Sequence, residues 1–179
     1  MREQLIEMLD AAEKFVRAKR IGSSKELVSM FDLRDADNNS HMMITPFVGE
    51  TNDEVDLSKD FVAFLVRKYI AEHKITHYMF ITEAWSVTRA TGEYIPGVSQ
   101  RPAESDDRRE IILADAHDGT THLSSSWYIK RNGDKCVDII PIAIKEERHH
   151  GDGGGRFDSL LKSRSSLHNH NLPDDDRPA

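Results

Sequence analysis

Three side chains of this sequence, Glu83, Asp115 and His117, could do chemistry together if the fold brings them close. Two carboxylates beside an imidazole can bind a divalent cation, or hold a proton because like charges push one carboxyl pKa upward. Glu83 lies in "ITEAWSV", where period-2 counting puts Met79, Ile81, Glu83, Trp85 and Val87 on one face of a strand. Asp115 and His117 share the odd-numbered face of "RREIILADAHDG" with Arg109, Ile111 and Leu113. If the two strands pair antiparallel with positions near 88 and 108 opposed, Glu83 faces Leu113. Asp115 and His117 then follow along the same face. A slip of one residue undoes this, because it moves a whole set of side chains to the other face.

The competing reading of Glu83 is structural. A carboxylate on an apolar stripe needs a partner, since leaving it unpaired costs on the order of several kcal/mol. Arg108 or Arg109, at the start of the next strand, could supply that partner. The candidate binding or structural cluster is therefore Glu83, Trp85, Arg108, Arg109, Asp115 and His117. The sequence assigns no catalytic residue and no metal ligand.

The elements that must position these residues are legible in outline. Leu5, Met8, Leu9, Ala12, Phe15 and Val16 recur at helical spacing, and Gly22 suits the position just past a helix end. Ser23 and Glu26 have capping-box spacing, which predicts a second short helix through about Phe31. Residues 34–40 read as a loop, and "HMMITPFVG" as a strand that Pro46 places at an edge. A third helix, capped by Asp56 or Ser58, runs to about His73 on Leu57, Phe61, Phe64, Leu65 and Tyr69. From Ile75 the period becomes two, predicting strands over 76–88, 109–118, 123–131 and 136–146. "HDGT" and the Asn-Gly of "RNGDK" are tight turns, so the later strands form an antiparallel meander. "CVDIIPIAI" is apolar on both faces and could lie inside the sheet, although Pro141 then demands a bulge or an edge. The stretch between Val87 and Arg108, rich in Gly, Pro and small polar residues, is either a lid or a passive insertion.

Other motifs carry less. His149, His150, His168 and His170 have no carboxylate placed to complete a metal site. "GDGGG" lacks the strand, helix and lysine of a phosphate loop and reads as a linker. Ser124, Ser125 and Ser126 have no nucleophile-elbow pattern, and Cys136 reads as a small buried hydrophobe. A net charge of −7 opposes nucleic-acid binding by bulk electrostatics, and a lone cysteine excludes an intramolecular disulfide. The acidic N-terminal segment does not read as a secretory signal, and no apolar run approaches the ~20 residues of a membrane span.

"FITEAWSV", a polar loop with Pro, then "DRREIILADAHDG" together resemble a recurring pattern in small uncharacterised proteins of bacteria and their phages. The likeness covers residues 76–119 and implies a compact cytosolic protein with no assigned substrate. The expected fold is α+β, with N-terminal helices packed on a mainly antiparallel sheet of four or five strands. Residues 1–148 form the single domain, and 149–179 a flexible Gly-, His- and Asp-rich tail, within which "FDSLLKS" could form one helical turn or a docking segment. The expected function is a cytoplasmic, non-enzymatic interaction or regulatory protein that contacts another protein, without membrane or cofactor. The alternative is a small metal-dependent or acid–base hydrolase built on Glu83, Asp115 and His117.

Overall fold

The N-terminal apolar spacing becomes helix α1 (Arg2–Arg20) in a computed structural model that describes residues 2–87, 108–147, 157, 160 and 161. Leu5, Met8, Leu9, Ala12 and Val16 are its buried stripe, and Arg20 continues that stripe into the last turn. Arg17, Lys19 and Arg20 place positive charge on the helix C-terminus, where the macrodipole favours it. Gly22 then turns the chain at φ +84, a conformation open to glycine at little cost. Its N–H donates to the Cys136 carbonyl at 2.7 Å, and the Cys136 N–H donates to Ser23 at 3.0 Å.

The helix expected from Ser23 to Phe31 does not form. The Ser23 hydroxyl accepts from the Lys25 N–H only two residues on, at 3.0 Å, which makes a local turn instead of a cap. Residues 23–29 form no regular element; they run from the backbone bonds with Cys136 past Glu83 and lead into β1 (Met30–Asp35), a strand that the sequence reading missed. Asp35 and Asn38 (φ +62) turn β1 back into β2 (Ser40–Ile44), with Asp35 accepting from the N–H groups of Asp37 and Asn39. The capping box lies further on. Thr51 accepts from the Glu54 N–H at 3.3 Å, and the Glu54 carboxylate accepts from the Thr51 N–H at 3.0 Å. Helix α2 (Asn52–His73) therefore starts earlier than the expected Asp56 cap.

Strands β3 (Ile75–Val87), β4 (Arg108–His117), β5 (His122–Asn132) and β6 (Lys135–Glu147) complete a sheet of order β2-β1-β3-β4-β5-β6. Every neighbouring pair is antiparallel. The class is α+β as expected, with two helices and six strands among the described residues. Pro141 sits on β6, which is an edge strand whose register against β5 is broken by bulges. An edge supplies the position in which a residue without an N–H is tolerated.

The two helices cover opposite faces. On one, α1 packs with Met79 and Ile81 of β3, Ile112, Ala114 and Ala116 of β4, and Trp127 of β5. On the other, Val62, Ala63, Val66 and Ile70 of α2 meet Phe31, Leu33, Tyr78 and Phe80. No helix among the described residues is long and apolar enough to cross a membrane.

Three residues of the expected tail belong to the α2 face. Leu160 is buried at 2% exposure, and Phe157 and Leu161 pack against the same cluster. The Phe157 ring lies 4.8 Å from Phe80 and 5.4 Å from Phe31, centroid to centroid, and its carbonyl accepts from the Tyr78 hydroxyl. Of the two options that the sequence offered for "FDSLLKS", one helical turn or a docking segment, these residues take the docking one, although the tail as a whole had been expected to be flexible. Truncation after Arg148 is accordingly expected to destabilise, and Leu160→Ala alone to cost about 2–4 kcal/mol, the range for emptying a buried leucine site. Urea melts measure both, and an unchanged midpoint in the truncated chain would count against this docking.

Candidate functional site

The register between β3 and β4 decides which candidate residues meet. Glu83 is opposite Ile112, not Leu113, so the pairing differs by one residue from the expected one. Glu83 therefore shares the α1 face with Ile81, Ile112 and Ala114, whereas Asp115 and His117 lie opposite Phe80 and Tyr78 and point to the α2 face. The expected carboxylate–carboxylate–imidazole cluster is split across the sheet. The connection from 88 to 107 lies outside the described residues, and its length gave the sequence reading no hold on register.

Glu83 is held by Arg20, not by Arg108 or Arg109. Arg20 Nε donates to Glu83 Oε1, and its second nitrogen reaches Oε2 at 3.5 Å. The Leu27 N–H donates to the same Oε1 at 2.9 Å. Arg20 also donates to the Ser23 carbonyl at 3.0 Å. The arginine is 1% and the glutamate 11% exposed at the side chain, so the pair is largely out of water. Desolvation of both ions is offset only because several donors converge on the carboxylate. The pair joins the end of α1, the connecting segment and the central strand. The sequence did carry a signal for it, since Arg20 falls four residues after Val16 on the buried helical stripe. An arginine in phase with one apolar stripe and a glutamate in phase with another are natural partners.

Asp115 and His117 join a different set. Asp115 accepts from His122 Nε2 at 3.1 Å. The His122 ring stacks on His117 at 3.8 Å, and His117 stacks on Tyr78 at 4.7 Å. This ring column ends at the Phe157 carbonyl through the Tyr78 hydroxyl, so it ties the C-terminal segment to the sheet. Among the described residues no three His, Cys, Asp or Glu side chains converge to hold a metal ion. Cys136 is fully buried, and that burial pushes its thiol pKa up.

Trp85, Arg108 and Arg109 do gather, with Glu110, Tyr128, Lys130, Arg131 and Ile140, around an open groove of about 640 Å³. Arg108 lies over the Trp85 ring at 4.7 Å and Arg109 over Tyr128 at 5.4 Å. Successive β4 residues point to opposite faces, so the two arginine–ring stacks flank that strand. Arg131 donates through Nε and Nη2 to Glu110, with the second bond at 2.9 Å. Glu110 thereby holds the Arg131 guanidinium further above its ordinary pKa. The lining carries four cations and one carboxylate beside two aromatic rings, a surface suited to an anionic ligand with an apolar part. Tyr128, Lys130 and Arg131 escaped the sequence reading because only pairing with β4 brings "WYIKR" beside Trp85.

His77, on the α1 face with Met79, is 7% exposed, and its Nε2 meets no hydrogen-bond partner among the described residues. Burial lowers its pKa, and the nearby Asp118 carboxylate offsets only part of that. Comparison with family models, curated proteins and solved structures finds no match for the chain.

Two outcomes follow from this geometry. Glu83→Gln is expected to cost roughly 1–3 kcal/mol, the price of a buried donor left poorly paired. A double-mutant cycle should find strong coupling of Glu83 to Arg20 and none to Arg108. A large Arg108 coupling would contradict this assignment. The second outcome concerns pH. With its folded pKa below the unfolded value near 6.5, His77 contributes stability that is present above about pH 6.5 and is lost as pH falls toward the folded pKa. Chemical melts between pH 7 and pH 5 should show a decline that His77→Gln reduces; the same decline in both proteins would show that His77 is not its source.

Proposed function

We propose that this chain is a cytosolic, non-enzymatic interaction protein of a bacterium or phage, and that it holds an acidic segment of another protein in the groove beside Trp85. The observation that carries the reading is the paired stacking of Arg108 on Trp85 and Arg109 on Tyr128. Each stack holds a guanidinium in place over a ring, so a carboxylate and an apolar side chain can be met at one point. Pre-positioned arginines lose less side-chain entropy on binding than free ones do. The overall charge of −7 makes this cationic groove a local exception, which favours a short acidic stretch over a long polyanion. Trp85 is 41% exposed and available to a partner, in contrast to the fully buried Trp127.

Because only one of the two tryptophans is exposed, its emission reports on the groove. Titration with a short fluorescein-labelled poly-glutamate peptide is expected to quench Trp85 and to weaken as salt rises. Arg108→Glu and Arg109→Glu should each abolish binding while leaving the melting temperature close to that of the parent chain. Absence of binding, or binding unchanged in both variants, would overturn the reading. Tighter binding of oligo-dT than of the peptide would overturn it in favour of single-stranded nucleic acid.

A further inference from the structure

Helix α2 has two apolar faces, and only one of them meets the sheet. Val62, Ala63, Val66 and Ile70 are buried against β1 and β3. On the opposite side, Leu57, Phe61, Phe64 and Leu65 are 70%, 61%, 51% and 41% exposed. Their spacing of i, i+4, i+7 and i+8 makes one continuous stripe along the helix. Val48, 66% exposed, extends it, because its N–H donates to Ser58 at 3.2 Å and so lies beside the first turns. Single exposed apolar residues are ordinary, but a contiguous stripe containing two phenylalanines marks a surface that is covered by something.

The charges on α2 identify the occupant. Its first half carries four carboxylates, Asp53, Glu54, Asp56 and Asp60, against one cation, Lys59, and its last turns carry Arg67 and Lys68 against one carboxylate, Glu72, followed by Lys74 at the C-cap. A second α2 laid antiparallel on the stripe sets acidic half against basic half at both ends. A parallel arrangement would set like against like. We infer that the chain forms a twofold homodimer through the outer face of α2, with the axis passing near Phe61. About that axis Phe61 meets its own copy, Leu57 meets Leu65 of the partner, and the Asp53–Glu54 end lies alongside Lys68 of the partner. This is the self-complementary geometry of an isologous contact, in which one patch serves both sides.

The size of the patch sets the strength. Four side chains that each expose on the order of 100 Å² fall short of the ~800 Å² per partner of a standard interface. Val48 and the flanking charged stems enlarge the area without reaching the size of an obligate dimer. The association is therefore a reversible one in the micromolar range, and the groove beside Trp85 takes no part in it.

Sedimentation velocity of the full chain over a range of concentrations tests the inference. The expected result is a concentration-dependent shift from the 20.4 kDa monomer toward twice that mass. Phe61→Glu should hold the chain as a monomer at every concentration while its circular dichroism and melting temperature stay near those of the parent. Asp53→Lys and Lys68→Glu should each weaken the dimer several-fold, and the double variant should recover it, because the opposed charges are exchanged together. A parent chain that stays monomeric into the hundreds of micromolar would overturn the inference. So would a dimer that survives Phe61→Glu, and so would a double variant weaker than both singles, since either result places the contact elsewhere or in another orientation.

Discussion

A charge pair that water does not reach, Arg20 with Glu83, is the constraint on which this architecture turns. Neither ion is tolerated alone at that depth, so each dictates where the other's element must run. Arg20 ends α1, Glu83 sits in the central strand, and the Leu27 N–H brings the connecting segment to the same carboxylate. The connecting segment has few strand partners of its own, and the pair supplies hydrogen bonds that a bare apolar face could not. Gly22 and Ser23, exchanging backbone bonds with Cys136, anchor the other side of that segment to β6. A connection that would otherwise drift over the sheet is pinned at both ends.

Beyond that pair, the fold is a division of labour between two faces. The α1 face is closed by aliphatic packing over β3, β4 and β5, with Trp127 filling its centre. The α2 face is built from aromatic rings, and Phe157 is inserted among Phe31, Phe47 and Phe80. Where β3 ends and β4 begins, Trp85 is 41% exposed, and Arg108 and Arg109 stack on the Trp85 and Tyr128 rings.

Much of this could be read from residues alone, and the failures share one physical cause. The amphipathic first helix, the hairpin at "RNGDK", the three-strand meander and the edge position of β2 are local features that formed, although β2 ends at Ile44, before the Pro46 that suggested the edge. Ser23 and Glu26 had the right spacing for a cap, yet the segment was taken over by long-range bonds to Cys136 and Glu83. The short strand from Met30 to Asp35 was hidden inside that mistaken helix. The partner of Glu83 was wrong because the arginines at the start of the next strand were preferred to one 63 residues away. One residue of register separated an imagined triad from its actual division between two faces. Of the candidate cluster, Trp85, Arg108 and Arg109 remain neighbours around one groove, and Trp85 with Arg108 is a diagonal contact that the observed register allows.

Amide hydrogen exchange at Leu27 tests the central role of the buried pair most directly. In native conditions this residue lies outside any helix or strand, and its N–H is held by the Glu83 carboxylate. If the pair organises the connecting segment, the Leu27 amide exchanges as slowly as the amides of the central strand, because it is released only when that larger unit opens. In Glu83→Gln its protection should fall well before that of β3 itself. A Leu27 amide that exchanges at the rate of an open loop in the unmodified chain would contradict the account.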